Sequence, residues 1–108
     1  MATQADDSER VDLALRSIES LLDELPRLAD DWTALSRDEQ FAWSLEWGNE
    51  MAKLHCLAEA EAVGRLDGRR AGVFRVLAER TVGALSSIER LDLRQPSALV
   101  LAAGRVHT

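Results

Sequence analysis

Apolar residues recur at alternating steps of four and three along the first third of the chain: Val11, Leu15, Ile18, Leu22, Leu25, Ala29 and Trp32. That spacing keeps one side of an α-helix apolar, in the narrow form suited to helices packed nearly parallel or antiparallel. Leu21 and Leu28 widen the seam, and Arg10, Asp12, Arg16, Glu19 and Asp23 occupy the opposite side. The pattern predicts a helix over about residues 7–25, with Asp6 as its N-cap and Glu9 in capping-box spacing. Pro26 removes a backbone donor and collides with the Leu22 carbonyl, so the helix is expected to kink or split there. The seam keeps its phase through Trp32, which favours a kink or a short second segment on nearly the same axis, over residues 26–35.

A second helix announces its own start. In Ser36-Arg37-Asp38-Glu39, the Ser36 hydroxyl can accept the Glu39 amide while the Glu39 carboxylate accepts the Ser36 amide. No proline follows until well past residue 66, where this helix is expected to end, although Gly48 and Gly64 each weaken it by about 1 kcal/mol. It is apolar on more than one side. Trp43, Trp47, Met51, Leu54, Ala58 and Ala62 form one stripe, and Phe41, Leu45, Gly48 and Ala52 an adjoining one. So broad an apolar arc predicts two neighbours for this helix, within the chain or across a subunit boundary.

A third helix is predicted from Asp67-Gly68 to about residue 91, its core stripe being Phe74, Leu77, Thr81, Ala84, Ile88 and Leu91. Beside it runs Arg69, Gly72, Val76, Arg80, Gly83, Ser87 and Arg90, where small residues alternate with arginines. Small residues admit a close backbone, and the guanidiniums are placed to meet acids of the first two helices or of another chain. Gln95-Pro96-Ser97 opens a short last helix, with Gly104 expected to stop it. There is no period-2 run of strand length and no hairpin turn signal between alternating runs. The fold class that follows is all-α: a bundle of three main helices, the first kinked or split at Pro26, plus a short C-terminal helix, in a single domain over residues 1–108.

Composition adds location and charge. The longest apolar run, residues 98–103, is far short of the roughly 20 residues a membrane span needs. The opening MATQADDSER has no secretory apolar stretch, and the lone Cys56 has no intramolecular partner, so a cytoplasmic protein is expected. Net charge is −6, and residues 62–108 hold eight of the thirteen basic side chains but only four of the nineteen acids. An acidic first half packed beside a basic third helix accounts for this better than a phosphate-binding face, because the net sign is wrong for one.

Candidate chemistry is sparse. His55 and Cys56 point about 100° apart on a helix and do not chelate one ion together; His55 and Glu59 share a face, but three or four convergent ligands are needed, and His107 is remote. A partly buried histidine and an inert core thiol are therefore expected. Glu46 and Glu50 share another face, as helix-borne acids do in Mg²⁺-dependent nucleotide pyrophosphohydrolases, yet the third helix has no matching acid pair, and its arginines or water are expected to neutralise them. No phosphate loop, dinucleotide fingerprint, nucleophile elbow or zinc pattern occurs. Neither a catalytic residue nor a cofactor is expected. Three of the five aromatics are tryptophans, more than so small a core readily hides.

The expected function is a non-catalytic interaction protein that self-associates as a homodimer or binds and neutralises a protein partner, as accessory and antitoxin-like proteins do. Phe41, Trp43, Leu45, Trp47, Arg69 and Arg80 are the expected partner-binding residues. Two alternatives are a metal-dependent nucleotide phosphohydrolase using Glu46 and Glu50, and a nucleic-acid-binding regulator using the arginines of residues 65–80.

Overall fold

The seam of the first helix is buried as its spacing requires. Leu15, Ile18, Leu21, Leu22 and Leu25 are core residues in a computed structural model that describes residues 3–105. The elements are α1 (Thr3–Asp31), a 3-10 turn (Trp32–Ala34), α2 (Arg37–Ala62), α3 (Gly68–Gly83), α4 (Leu85–Arg90) and α5 (Ala98–Arg105), with no strand among the described residues. The chain is an all-α bundle. Helix α1 packs against α2 and α3, and α5 closes the bundle chiefly against α3 and also against α2. His107 lies outside the described residues.

The boundaries before the C-terminal segment differ from expectation in four places. Asp6 is not an N-cap, because α1 begins at Thr3. Pro26 does not split α1, which continues to Asp31. Pro26 is exposed, so the carbonyl it deprives of a partner can turn to water, while Leu22 and Leu25 before it and Ala29 and Trp32 after it stay against the core. Helix α2 stops at Ala62 rather than near residue 66. Gly64, with φ of 72°, ends it in a Schellman arrangement: the Arg65 amide donates to the Ala60 carbonyl at 2.8 Å and the Gly64 amide to that of Glu61 at 3.1 Å. The third helix is two helices, broken at Ala84. Gly83 is a poor helix former, and the buried Thr81 hydroxyl donates back to the Leu77 carbonyl at 2.8 Å, a bond that bends helices. Its stripe is nonetheless core, with Phe74, Leu77, Thr81, Ile88 and Leu91 all buried.

The start of α2 is the one its sequence specifies. Ser36 Oγ accepts the Glu39 amide at 3.2 Å, and the Glu39 carboxylate accepts the Ser36 amide at 2.9 Å, which holds the Glu39 carboxyl below its ordinary pKa. Ser36→Ala is expected to cost about 1 kcal/mol in urea denaturation, the usual loss for an N-cap.

A second chain reversal sets the position of the C-terminal segment. After α4, Asp92 adopts φ of 56°, the Leu93 amide reaches the Ile88 carbonyl at 2.9 Å, and both flanking side chains are buried. This is again a Schellman turn, here with Asp in the left-handed position. It throws residues 93–97 across α2 and delivers α5 onto α3. Pro96 does not take the first position of α5, which begins at Ala98; Ser97 precedes it, its hydroxyl accepting from the Val100 amide at 3.4 Å. Gly104 does not end α5. It is buried inside it, where the α5 backbone meets the Ala78 carbonyl of α3.

Candidate interaction surface

The faces of α2 follow from its phase. At about 100° per residue, Trp43, Trp47, Glu50, Met51, Leu54, Leu57 and Ala58 share one side, and all but the half-buried Trp43 are buried. Phe41, Leu45, Ala52 and Cys56 share the other. This second apolar set is not beside the core stripe, as its spacing suggested, but on the far side of the helix from it. No element buries it: Phe41 is 65% exposed and Leu45 56%, and Ala52 and Cys56 are exposed as well, although Arg94, Gln95 and Ser97 of the C-terminal segment flank these last two. Val63, which caps the helix, continues the line at 69% exposure. Gly48 is the exception, lying beneath the Arg94 side chain, whose guanidinium donates to the Gly48 carbonyl at 3.4 Å.

The six residues expected to bind a partner are dispersed by the fold. Trp47 is fully buried, its indole N–H donating to the Arg94 carbonyl at 2.8 Å, so it serves the core and not a surface. Trp43 stacks on it, with ring centres 5.7 Å apart and planes 16° from parallel, and is half-buried. Phe41 and Leu45 remain at the surface, Phe41 on the edge of a shallow groove with Trp32, Gln40, Ser44 and Leu91. Arg69 and Arg80 are on another part of the molecule, turned to α1: Arg69 reaches Asp12 at 3.4 Å and Arg80 reaches Asp23 at 2.7 Å.

The basic third helix thus meets the acidic first one along its length. Arg70 makes the two-pronged one of these pairs, with Nε and Nη2 donating to the two Asp12 oxygens at 2.9 and 3.0 Å and Nη1 to Asp67. Arg75 pairs with Glu61 at 2.6 Å. The Arg70 guanidinium holds the Asp12 carboxyl below its ordinary value of 3.8, and the Arg70 amide does the same for Asp67 at the α3 N-cap. A carboxyl whose folded pKa is depressed stabilises the fold above its unfolded pKa, and that contribution vanishes as pH falls through the folded value. Arg70→Ala is therefore expected to lower stability at pH 6, with the gap to the parent closing on acidification below pH 4. Carboxyl titration by NMR should show Asp12 returning toward its ordinary value.

The sequence-level candidates for chemistry occupy structural positions. Glu50 is buried, accepting the Ser17 hydroxyl at 2.6 Å and the Lys53 ammonium at 3.0 Å, so α1 and its own helix neutralise it rather than the arginines of α3. Glu46 is exposed. His55 shares its Nδ1 with the Ser97 hydroxyl at 2.8 Å and approaches Glu59 at 3.6 Å. Cys56 is an exposed thiol, not a core one, because it falls on the outer face of α2. No group of three His, Cys, Asp or Glu side chains converges among the described residues, and no helix there is long and apolar enough to cross a membrane. No protein-family model, curated protein or solved structure matches the chain.

Proposed function

We propose that this chain is a non-catalytic interaction module whose binding surface is the outer face of α2. The observation that carries the reading is the exposure of Phe41 and Leu45 on the side of α2 opposite the core. Both side chains lie on a well-formed helix, in line with Ala52, Cys56 and Val63. An exposed apolar stripe on a helix that already has a filled core side is a surface for another polypeptide. The arginines of α3 support the reading from the other direction. Arg69, Arg70, Arg75 and Arg80 each have an acid partner within the chain, which leaves them poorly placed to act as a phosphate-binding array. A cytoplasmic setting goes with this reading, since the exposed Cys56 has no second thiol in the chain.

A benzophenone photo-crosslinker placed at Phe41 in the expressed chain tests this in cells. Irradiation is expected to join the chain to a protein, its own kind or another, and Leu45→Glu is expected to abolish the adduct without lowering the melting temperature. No adduct to any protein, or an adduct indifferent to Leu45→Glu, would contradict the reading.

A further inference from the structure

The interaction reading leaves the occupant of the α2 face open, and the face itself narrows it. Along the stripe the side chains are large at one end, Phe41 and Leu45, and small at the other, Ala52 and Cys56, with Gly48 between them beneath the Arg94 side chain. A parallel pairing of two such helices would set Phe41 against Phe41 and Cys56 against Cys56, crowding one end and leaving the other loose. An antiparallel pairing about a two-fold axis near Gly48 and Asn49 sets Phe41 opposite Cys56 of the second copy and Leu45 opposite Ala52. Large then faces small on both sides of the dyad, the condition for two surfaces to interdigitate there, while the Arg94 side chains over Gly48 turn aside at the centre.

Charge gives the same orientation. Arg37 stands at the N-terminal end of this face and Glu59 near its C-terminal end. Neither forms an ion pair with an element outside α2 among the described residues; Glu59 meets only His55, one turn away. The antiparallel register brings Arg37 of each copy beside Glu59 of the other, twice by symmetry, whereas a parallel one would set each against its like. Asp38 lies directly opposite Glu59 in the antiparallel register, with Arg37 one residue away on the same side, and the Asp38 charge is offset by the amides of the first helical turn. The like-charge approach at the dyad is between the two Arg94 side chains, which are exposed in the single chain and long enough to turn outward to solvent.

We infer that the occupant is a second copy of this chain, bound through an antiparallel, two-fold pairing of α2 with α2 in which Phe41 packs on Cys56 and Leu45 on Ala52. This rests on the interaction reading above, and the purified full-length chain tests it separately. Light scattering is expected to give twice the chain mass, and Leu45→Glu the single mass with an unchanged melt. Mild oxidation of Phe41→Cys, which retains the native Cys56, is expected to yield disulfides joining position 41 of one chain to position 56 of the other, located by peptide mass mapping. The parent should not cross-link through Cys56 alone, because the two Cys56 residues lie about 22 Å apart along the pair while a disulfide needs Cα atoms within about 7 Å. Arg37→Glu is expected to weaken the dimer roughly 3- to 30-fold, and adding Glu59→Arg to restore it. Links of 41 to 41 or 56 to 56, or a charge swap without rescue, would overturn the antiparallel register. A parent that stays monomeric at millimolar concentration would overturn self-pairing; an in-cell adduct to a different protein would then keep the interaction reading, and the absence of any adduct would remove both.

Discussion

Trp47→Ala is expected to cost about 3–5 kcal/mol, the range for truncating a buried aromatic. Three effects act together. The side chain is fully buried, so its removal leaves an indole-sized void between α2 and the segment that follows α4. The Trp43 ring, 5.7 Å away and nearly parallel, loses its stacking partner and a large part of its cover. The Arg94 carbonyl loses the indole N–H that fixes it at 2.8 Å. That last loss reaches further than the cavity, because residues 93–97 have few other ties to α2: the Arg94 guanidinium on Gly48 and the Ser97 hydroxyl on His55. Chemical denaturation should show the full loss. Trp47→Phe, which restores most of the volume but not the donor, should recover more than half of it. A Trp47→Ala effect below about 1 kcal/mol would mean that Trp47 is not the tie between α2 and the C-terminal segment.

Trp47 also marks where sequence reasoning reaches its limit. Its position in the apolar stripe with Trp43, Met51 and Leu54 was enough to place it on a core-facing side, and the surplus of tryptophan pointed equally to an interface. Only the fold decides between the two, by laying the Arg94 carbonyl over the indole. The α1 seam and the Ser36 cap are legible because each is local: period and capping chemistry are written within a few consecutive residues. The division of the α2 arc is half-legible. Helical phase puts Phe41 and Leu45 far from Leu54 and Leu57, so two opposed faces follow from angle alone. Which face stays uncovered depends on where the chain goes after Leu91, and that turn is made by Asp92 in a conformation usually signalled by glycine. The α3 arginines show the same division. Their charge balance against the first half of the chain was readable, whereas the pairing of Arg70 with Asp12 spans 58 positions and belongs to the packing angle of two helices.

Gly104→Val is expected to be at least as damaging as a typical overpacking change, about 3 kcal/mol, and to act on one element. A glycine near a chain end, after an apolar run, reads as a helix stop, but here it is the contact point between α5 and α3. A Cβ at this position would press into the Ala78 carbonyl and stand 2.7 Å from Val82 Cγ2. The obstacle is backbone, held in its own helix, so no rotamer change relieves it, and α5 must move away from α3. Movement of α5 uncovers Val100, which is fully buried, and the Ala78 and Thr81 surface of α3 beneath it. The damage should therefore be graded: Gly104→Ala loses part of the stability and Gly104→Val more, while Ala102→Val, an exposed position on the same helix, loses little. Hydrogen exchange locates the effect. The α5 amides should lose protection in Gly104→Val well before those of α1. Uniform loss of protection across all helices would show instead that α5 is an inseparable part of one cooperative core.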